Sequence, residues 1–237
     1  LQGHRGIIQL LSLFPRSETK ADIVLEYCNS GSVQAISRGE FCLEDKELLP
    51  VMYDLLMGLK SIHSLGYIHR DLQPHNVMLH RENGRLCGVI NDLGSAVKLE
   101  GKYPTLLPTI RGCSRSPEGL LRGIIPIDPR ISEMYYLGMS FYIMAFHEFP
   151  SWANLYAQKE VPKFSKSYKL HLHQTIEEKY SKDRKEFLRN KESESVRREA
   201  GITAYKILQP NPNHRLTLDE TIVAVEEAAK KWNINLE

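Results

Sequence analysis

Residues Tyr67 to His80 read YIHRDLQPHNVMLH. Asp71 and Asn76 stand five positions apart, close enough for one loop to bring a carboxylate and an amide to a shared site. His69-Arg70 opens the segment and apolar residues frame it. A little further on, the apolar run GVIN leads into Asp92, which precedes Leu93-Gly94. A carboxylate at such a strand end is free to bind Mg²⁺, a cation that prefers hard oxygen ligands and takes only one or two from protein. Phosphoryl transfer needs this kind of set: a carboxylate to orient a hydroxyl and accept its proton, oxygen donors for a metal, and fixed geometry. Asp and Asn are also ordinary turn formers. Their order here, with a strand-turn-strand pattern between Asn76 and Asp92, favours the site.

Outward from this loop, Glu44 to Ser64 repeats apolar residues at Leu48, Val51/Met52, Leu55, Leu59 and Ile62, which predicts a helix closed by Gly66. Upstream, Ile7 to Phe14 and Ile23 to Tyr27 read as two adjacent strands separated by the polar turn PRSETKAD, and Asn29 to Ser32 can cap a short helix. Downstream, YI, VML and CGVI are short β-type runs, and Lys98 to Pro129 reads as a long ordered loop. Ile131 to Phe146 is apolar almost all round, as a buried central helix would be. Residues 158–199 read as solvated helices, including the charge run Lys182 to Arg198. His171 and His173 belong to that solvated face, with no metal-ligating partners expected. Two more helices, 200–208 and 218–232, flank PNPNHRLT.

Composition agrees with a globular domain: 237 residues, 42% hydrophobic and 25% charged. A formal net charge of +2 gives no argument for nucleic acid or a membrane surface, and no apolar run is long enough to span a bilayer. Cys28, Cys42, Cys87 and Cys113 form no CxxC pair, so neither a zinc site nor a disulfide framework is indicated. Reduced thiols in a cytoplasmic protein, with the nucleus as the alternative, are the expectation.

His69-Arg-Asp-Leu-Gln-Pro-His-Asn76 resembles the catalytic loop of eukaryotic-type protein kinases, on the serine/threonine side, and Asp92-Leu-Gly94 resembles their Mg²⁺-binding Asp-Phe-Gly. Further resemblances follow in order. HRGIIQL (His4 to Leu10) is similar to the segment after the regulatory helix, and VLEYCNSGS (Val24 to Ser32) to the hinge. Ser116-Pro-Glu118 resembles the triplet closing the activation segment, Tyr136 to Met139 the central helix, and His214-Arg-Leu-Thr217 the turn carrying an Arg. The resemblance implies an α+β, protein kinase-like fold. Residues 1–29 would be the remnant of a small lobe, and 30–237 a mainly helical large lobe. It implies ATP and Mg²⁺ as cofactors, a protein substrate and a regulatory protein partner. Asp71, Gln73 and Asn76 would be catalytic, and Asn76 and Asp92 would hold the metal. The backbones of Glu26 and Cys28 would bind adenine beside the gatekeeper Leu25, with Met78 packing beneath. His69 would brace the loop, Glu118 would pair with Arg215, and Arg70 would receive a phosphate carried by Thr105 or Thr109.

The departures from the family pattern matter as well. Gln73 stands where serine/threonine-type loops have a Lys, so it offers a hydrogen bond without charge. Glu133 replaces an Asp that braces the loop, and GCSRSPE lacks the usual aromatic. The glycine-rich loop, the phosphate-binding Lys and its Glu partner would precede His4, and nothing later substitutes for them. The 237 residues by themselves are therefore expected to transfer little phosphate. The alternative is a pseudokinase serving as a binding or scaffold module. A small-molecule phosphotransferase fits less well, because it would not carry Glu118 with Arg215.

Overall fold

The computed structural model describes residues 3–99, 116–120, 128–156, 165–190 and 194–237. In chain order, β1 (Leu10–Ser17) and β2 (Lys20–Leu25) are followed by α1 (Val33–Ser37) and α2 (Asp45–Ser64). Then come β3 (Tyr67–Ile68), β4 (Val77–Glu82), β5 (Arg85–Ile90) and β6 (Val97–Lys98). Helices α3 (Pro117–Leu120), α4 (Pro129–Phe146), α5 (Lys166–Arg189), α6 (Val196–Ile207) and α7 (Leu218–Lys231) complete the order. The strands pair antiparallel as β1-β2, β3-β6 and β4-β5. This is the mixed, mainly helical architecture expected.

Helix α2 forms where its apolar spacing predicts. Glu44 and Glu47 build a reciprocal capping box at its start. Leu48, Met52, Leu55, Leu59 and Ile62 are fully buried along one stripe. The helix ends at Gly66, whose φ of 77° is the left-handed conformation that glycine adopts freely. Helix α4 is the buried rod of the body: Asp128 caps it, Pro129 occupies its first turn, and Ser132 to Ala145 are all buried. A surface helix would alternate polar and apolar faces; one hydrophobic all round must be enclosed.

The first strand differs from expectation. β1 begins at Leu10 and, with β2, runs through most of the predicted polar turn, leaving only Glu18 and Thr19 between the strands. Ile7 instead bridges Ile90 in parallel, with Ile8 N–H donating to Ile90 O at 3.0 Å and Ile90 N–H to Gly6 O at 2.8 Å. Apolar letters mark both placements alike, and the partner strand decides. The hairpin itself is solvent-facing; Leu11 and Ile23 are 61% and 62% exposed.

The charge run also needs correction. Helix α5 buries Leu172, Ile176 and Tyr180 and exposes much of the rest, as a solvated helix should. It stops at Arg189, however, and Arg197 and Arg198 turn inward to donate to carbonyls, among them Met144 O at 3.1 Å and Asn190 O at 2.8 Å. Orphan carbonyls at helix ends attract such donors. His171 is exposed, whereas His173 lies 3.8 Å from Glu177, a carboxylate neighbour one turn on. No cluster of three or more metal-ligating side chains occurs among the described residues. Most of the loop expected over 98–129 lies outside those residues. No helix among the described residues is long and apolar enough to cross a membrane.

The N-terminal segment lies backbone to backbone on α2. A Cβ on Gly58 would come 2.4 Å from Gly6 O, and one on Gly6 would come 2.0 Å from Asp54 O. Such contact admits only glycine. Gly58→Ala is expected to cost about 1–3 kcal/mol, the usual range for overpacking, seen as a lower urea midpoint with unchanged slope. An unchanged midpoint would show that the segment does not rest on α2.

Candidate active site

The loop between β3 and β4 is held from beneath by a buried carboxyl group. Glu133, fully enclosed on α4, accepts the Arg70 backbone N–H at 2.7 Å through Oε1 and meets His63 Nε2 at 2.7 Å through Oε2. Arg70 has φ 67°, a conformation non-glycine residues rarely adopt. Such strain costs on the order of 1–3 kcal/mol and persists only where the surroundings impose it. His69 is buried and supplies the next tie. Its Nδ1 accepts from Asp71 N–H at 3.2 Å, so its Nε2–H donates to Asn91 O at 2.8 Å. His69 thus braces the loop, and Glu133 takes the bracing position despite its extra methylene.

Within the loop, Asp71, Gln73 and Asn76 converge. Asn76 Nδ2 donates to Asp71 O at 2.8 Å and to Asp71 Oδ2 at 3.2 Å. Gln73 Nε2 donates to Asp71 Oδ1 at 2.5 Å. Both carboxylate oxygens of Asp71 therefore face amide donors. Asn76 commits its nitrogen to Asp71, which leaves Oδ1 as the branch not engaged there.

Asp92 joins the group through β-pairing. Val77 of β4 opposes Ile90 of β5, and the next pair continues the register, with Asn91 N–H donating to Asn76 O at 2.9 Å. Asp92 follows at φ 58°, exposed, its Oδ1 accepting from Gly94 N–H at 3.2 Å. Asn91 therefore binds the loop between β3 and β4 with both its N–H and its C=O. That residue was missed in the sequence; its only signal is its place opposite Asn76 in the hairpin register.

The segment after β2 is stitched to the same hairpin. Ser30 N–H donates to Leu79 O at 3.0 Å and Leu79 N–H to Gly31 O at 2.8 Å, while the Asn29 side chain exchanges two bonds with the Arg81 backbone. Cys28 is buried with Ile8 and Val89, and Met78 packs against them, forming a small apolar cluster separate from the main core. Burial, then the charge of Glu26, pushes the Cys28 thiol up to about 11. The Glu26 side chain accepts Gln9 N–H at 2.9 Å, so its carboxylate is engaged in holding the strand end. Leu25 ends β2 opposite Leu10 and is 40% exposed.

Glu118 and Arg215 form a bidentate pair with no solvent access to speak of, at 2.8 and 3.0 Å. Ser132 Oγ also donates to Glu118 at 2.8 Å, and the guanidinium donates further to Ile131 O and Gln209 O. Burial alone would raise the Glu118 carboxyl; the Arg215 charge and hydrogen bonds outweigh it and hold it below its ordinary value. Thr105 and Thr109 lie outside the described residues, and Arg70 Nε is buried without a partner among those described.

Two outcomes follow for this pair. Arg215→Ala strands a buried carboxylate and is expected to cost about 3–5 kcal/mol, measured by denaturant unfolding at neutral pH. Because the folded Glu118 value is depressed, its contribution is present above the unfolded value of 4.5 and is lost as pH falls through the folded one. Acid titration of wild-type stability should show that loss, and Glu118→Gln should flatten it.

The protein kinase domain family matches this chain over residues 1–226. Testis-specific serine/threonine-protein kinase 1 of Mus musculus is 26% identical over 225 residues, covering 92% of this chain and 54% of that protein. The probable serine/threonine-protein kinase HAL5-like of Vanderwaltozyma polyspora is 28% identical over 230 residues, covering 92% and 28%. Inhibitor of nuclear factor kappa-B kinase subunit alpha of Danio rerio is 37% identical over 81 residues, covering 33% and 11%. The chain spans about half or less of the length of these relatives. With its match extending over nearly all 237 residues, the chain belongs to the protein kinase domain family.

Proposed function

We propose that the protein transfers the terminal phosphate of ATP to Ser or Thr hydroxyls of protein substrates, with Mg²⁺. The observation that carries this reading is the single hydrogen-bonded unit linking Asp71, Asn76 and, through Asn91, Asp92. In that role Asp71 orients the incoming hydroxyl and accepts its proton. Asn76 Oδ1 and the Asp92 carboxylate would hold Mg²⁺, and the donor set fits, being hard oxygens on a braced loop and a strand end. Bound there, the metal would neutralise charge on the phosphates. The backbones of Glu26 and Cys28 would take the edge of adenine, and Met78 would lie beneath it on the small apolar cluster. Residues 1–29 would contribute the end of a small lobe and 30–237 the large lobe. The serine/threonine-kinase names of the relatives and Pro74 after Gln73 support Ser and Thr as acceptors.

One observation favours a second reading, a pseudokinase that binds without turnover. Gln73 Nε2 donates to Asp71 Oδ1 and so competes for the carboxylate that a substrate hydroxyl would use, and it adds no charge to the transition state.

Radiolabelled Mg²⁺-ATP and a generic Ser/Thr-rich protein, tested with the full-length protein, separate the two. Asp71→Asn is expected to lower turnover by at least ~10²-fold, within the range for a general base. Gln73→Lys, which restores a cation, is expected to raise it. Nucleotide binding with no turnover in any of the three proteins would establish the binding module instead.

A further inference from the structure

The end of α4 that anchors the Asp71 loop also borders a cavity. A half-open space of about 600 Å³ lies between the end of α2, the start of α4 and the turn into α7, a volume within the range that small molecules occupy. Ile131, Met134, Leu216 and Leu218 give it apolar walls. Its charged side chains are already engaged with one another or with the interior. Lys60 Nζ donates to Asp219 Oδ1 at 2.9 Å, Asp128 accepts from the Arg130 backbone at 3.0 Å and from its guanidinium at 2.6 Å, and Arg215 is committed to Glu118. Each charge has its opposite beside it, so the cavity selects neither an anion nor a cation.

His63 is the exception among these polar groups. Its side chain lines the cavity and is only 10% exposed. Nε2 meets Glu133 Oε2 at 2.7 Å, whereas Nδ1 has no hydrogen-bond partner among the described residues. A neutral ring that donates its Nε2–H to a carboxylate keeps Nδ1 as an acceptor. The cavity therefore pairs apolar walls with one unmet acceptor. That acceptor is the outer end of a chain, because Glu133 accepts the Arg70 N–H through its other oxygen at 2.7 Å.

We propose that this cavity is an effector site for uncharged, largely apolar molecules with one hydroxyl, which donates to His63 Nδ1. Hydrogen bonds in series polarise one another, so an occupant strengthens the Nε2–H bond to Glu133 and, with it, the hold on the left-handed Arg70 backbone. Asp71 is the next residue. A ligand shifts a conformational equilibrium only by its preference for one state, and the hydroxyl supplies that preference for the braced loop. The site is assigned from the cavity and His63, so it stands whether or not the protein turns over ATP.

The test uses 4-propylphenol and its methyl ether, which keeps the apolar body and loses the donor. Each is titrated by ligand-observed NMR into the full-length protein at pH 8 without nucleotide. The phenol is expected to bind saturably and the ether about 3–10-fold more weakly, the ratio for one neutral hydrogen bond. Ser64 is exposed at the cavity edge, so Ser64→Trp should block the phenol while leaving the melting temperature unchanged. Amide exchange at Arg70 should slow when the phenol is bound. Absent or non-saturable binding of the phenol would overturn the proposal. So would equal affinities for phenol and ether, undiminished binding to Ser64→Trp, or Arg70 exchange that ignores a saturating ligand.

Discussion

Ile131, Ser132 and Glu133 place three successive polar groups where α4 enters the interior, and a different segment satisfies each. Arg215 donates to Ile131 O, Ser132 donates to Glu118, and Glu133 accepts from Arg70 and faces His63. A buried polar group without a partner costs about 1–3 kcal/mol, so these requirements can be met together only when the loop, the Ser-Pro-Glu segment and the turn before α7 all converge on one helix end. The geometry of the site depends on that convergence. Glu133 fixes the backbone of Arg70, the next residue is Asp71, and the Glu118–Arg215 pair anchors a segment far away in sequence. The rest of the helix, from Met134 to Ala145, is buried, so it serves as a common reference for these segments.

From that reference the site is held together by a chain of hydrogen bonds. His69 ties the loop to Asn91, Asn91 ties β5 to Asn76, and Asn76 returns to Asp71. This ring of contacts holds a carboxylate, an amide oxygen and a second carboxylate in order. Gln73 is the irregular member. Its amide turns toward Asp71 rather than away, which positions the carboxylate but also competes for it. The same bond therefore supports a slow enzyme or a binding module.

Much of the fold was legible in the sequence because its signals are local. The α2 stripe, Gly66, the all-apolar run of α4 and the turn chemistry around Asp92 each follow from spacing within a few residues. The ordered set Asp71, Asn76, Asp92, Glu118 and Arg215 was legible through its resemblance to a family. What escaped was pairing. Nothing near Ile7 says that it joins β5 while Leu10 starts the hairpin. Nothing near Glu133 names His63, seventy positions earlier. Arg197 and Arg198 look like surface charge until helix ends with orphan carbonyls are brought beside them. Residues such as these are read correctly only when the long-range partner is known.

The claim on which the account turns is that Asn76 and Asp92 form a metal site serving a nucleotide. Calorimetric titration of the full-length protein with ATP, with and without Mg²⁺, addresses it most directly. The account predicts affinity that depends on Mg²⁺ in the wild type and loses that dependence in Asp92→Ala. Binding that is equal with and without the metal, and unaltered by Asp92→Ala, would contradict it.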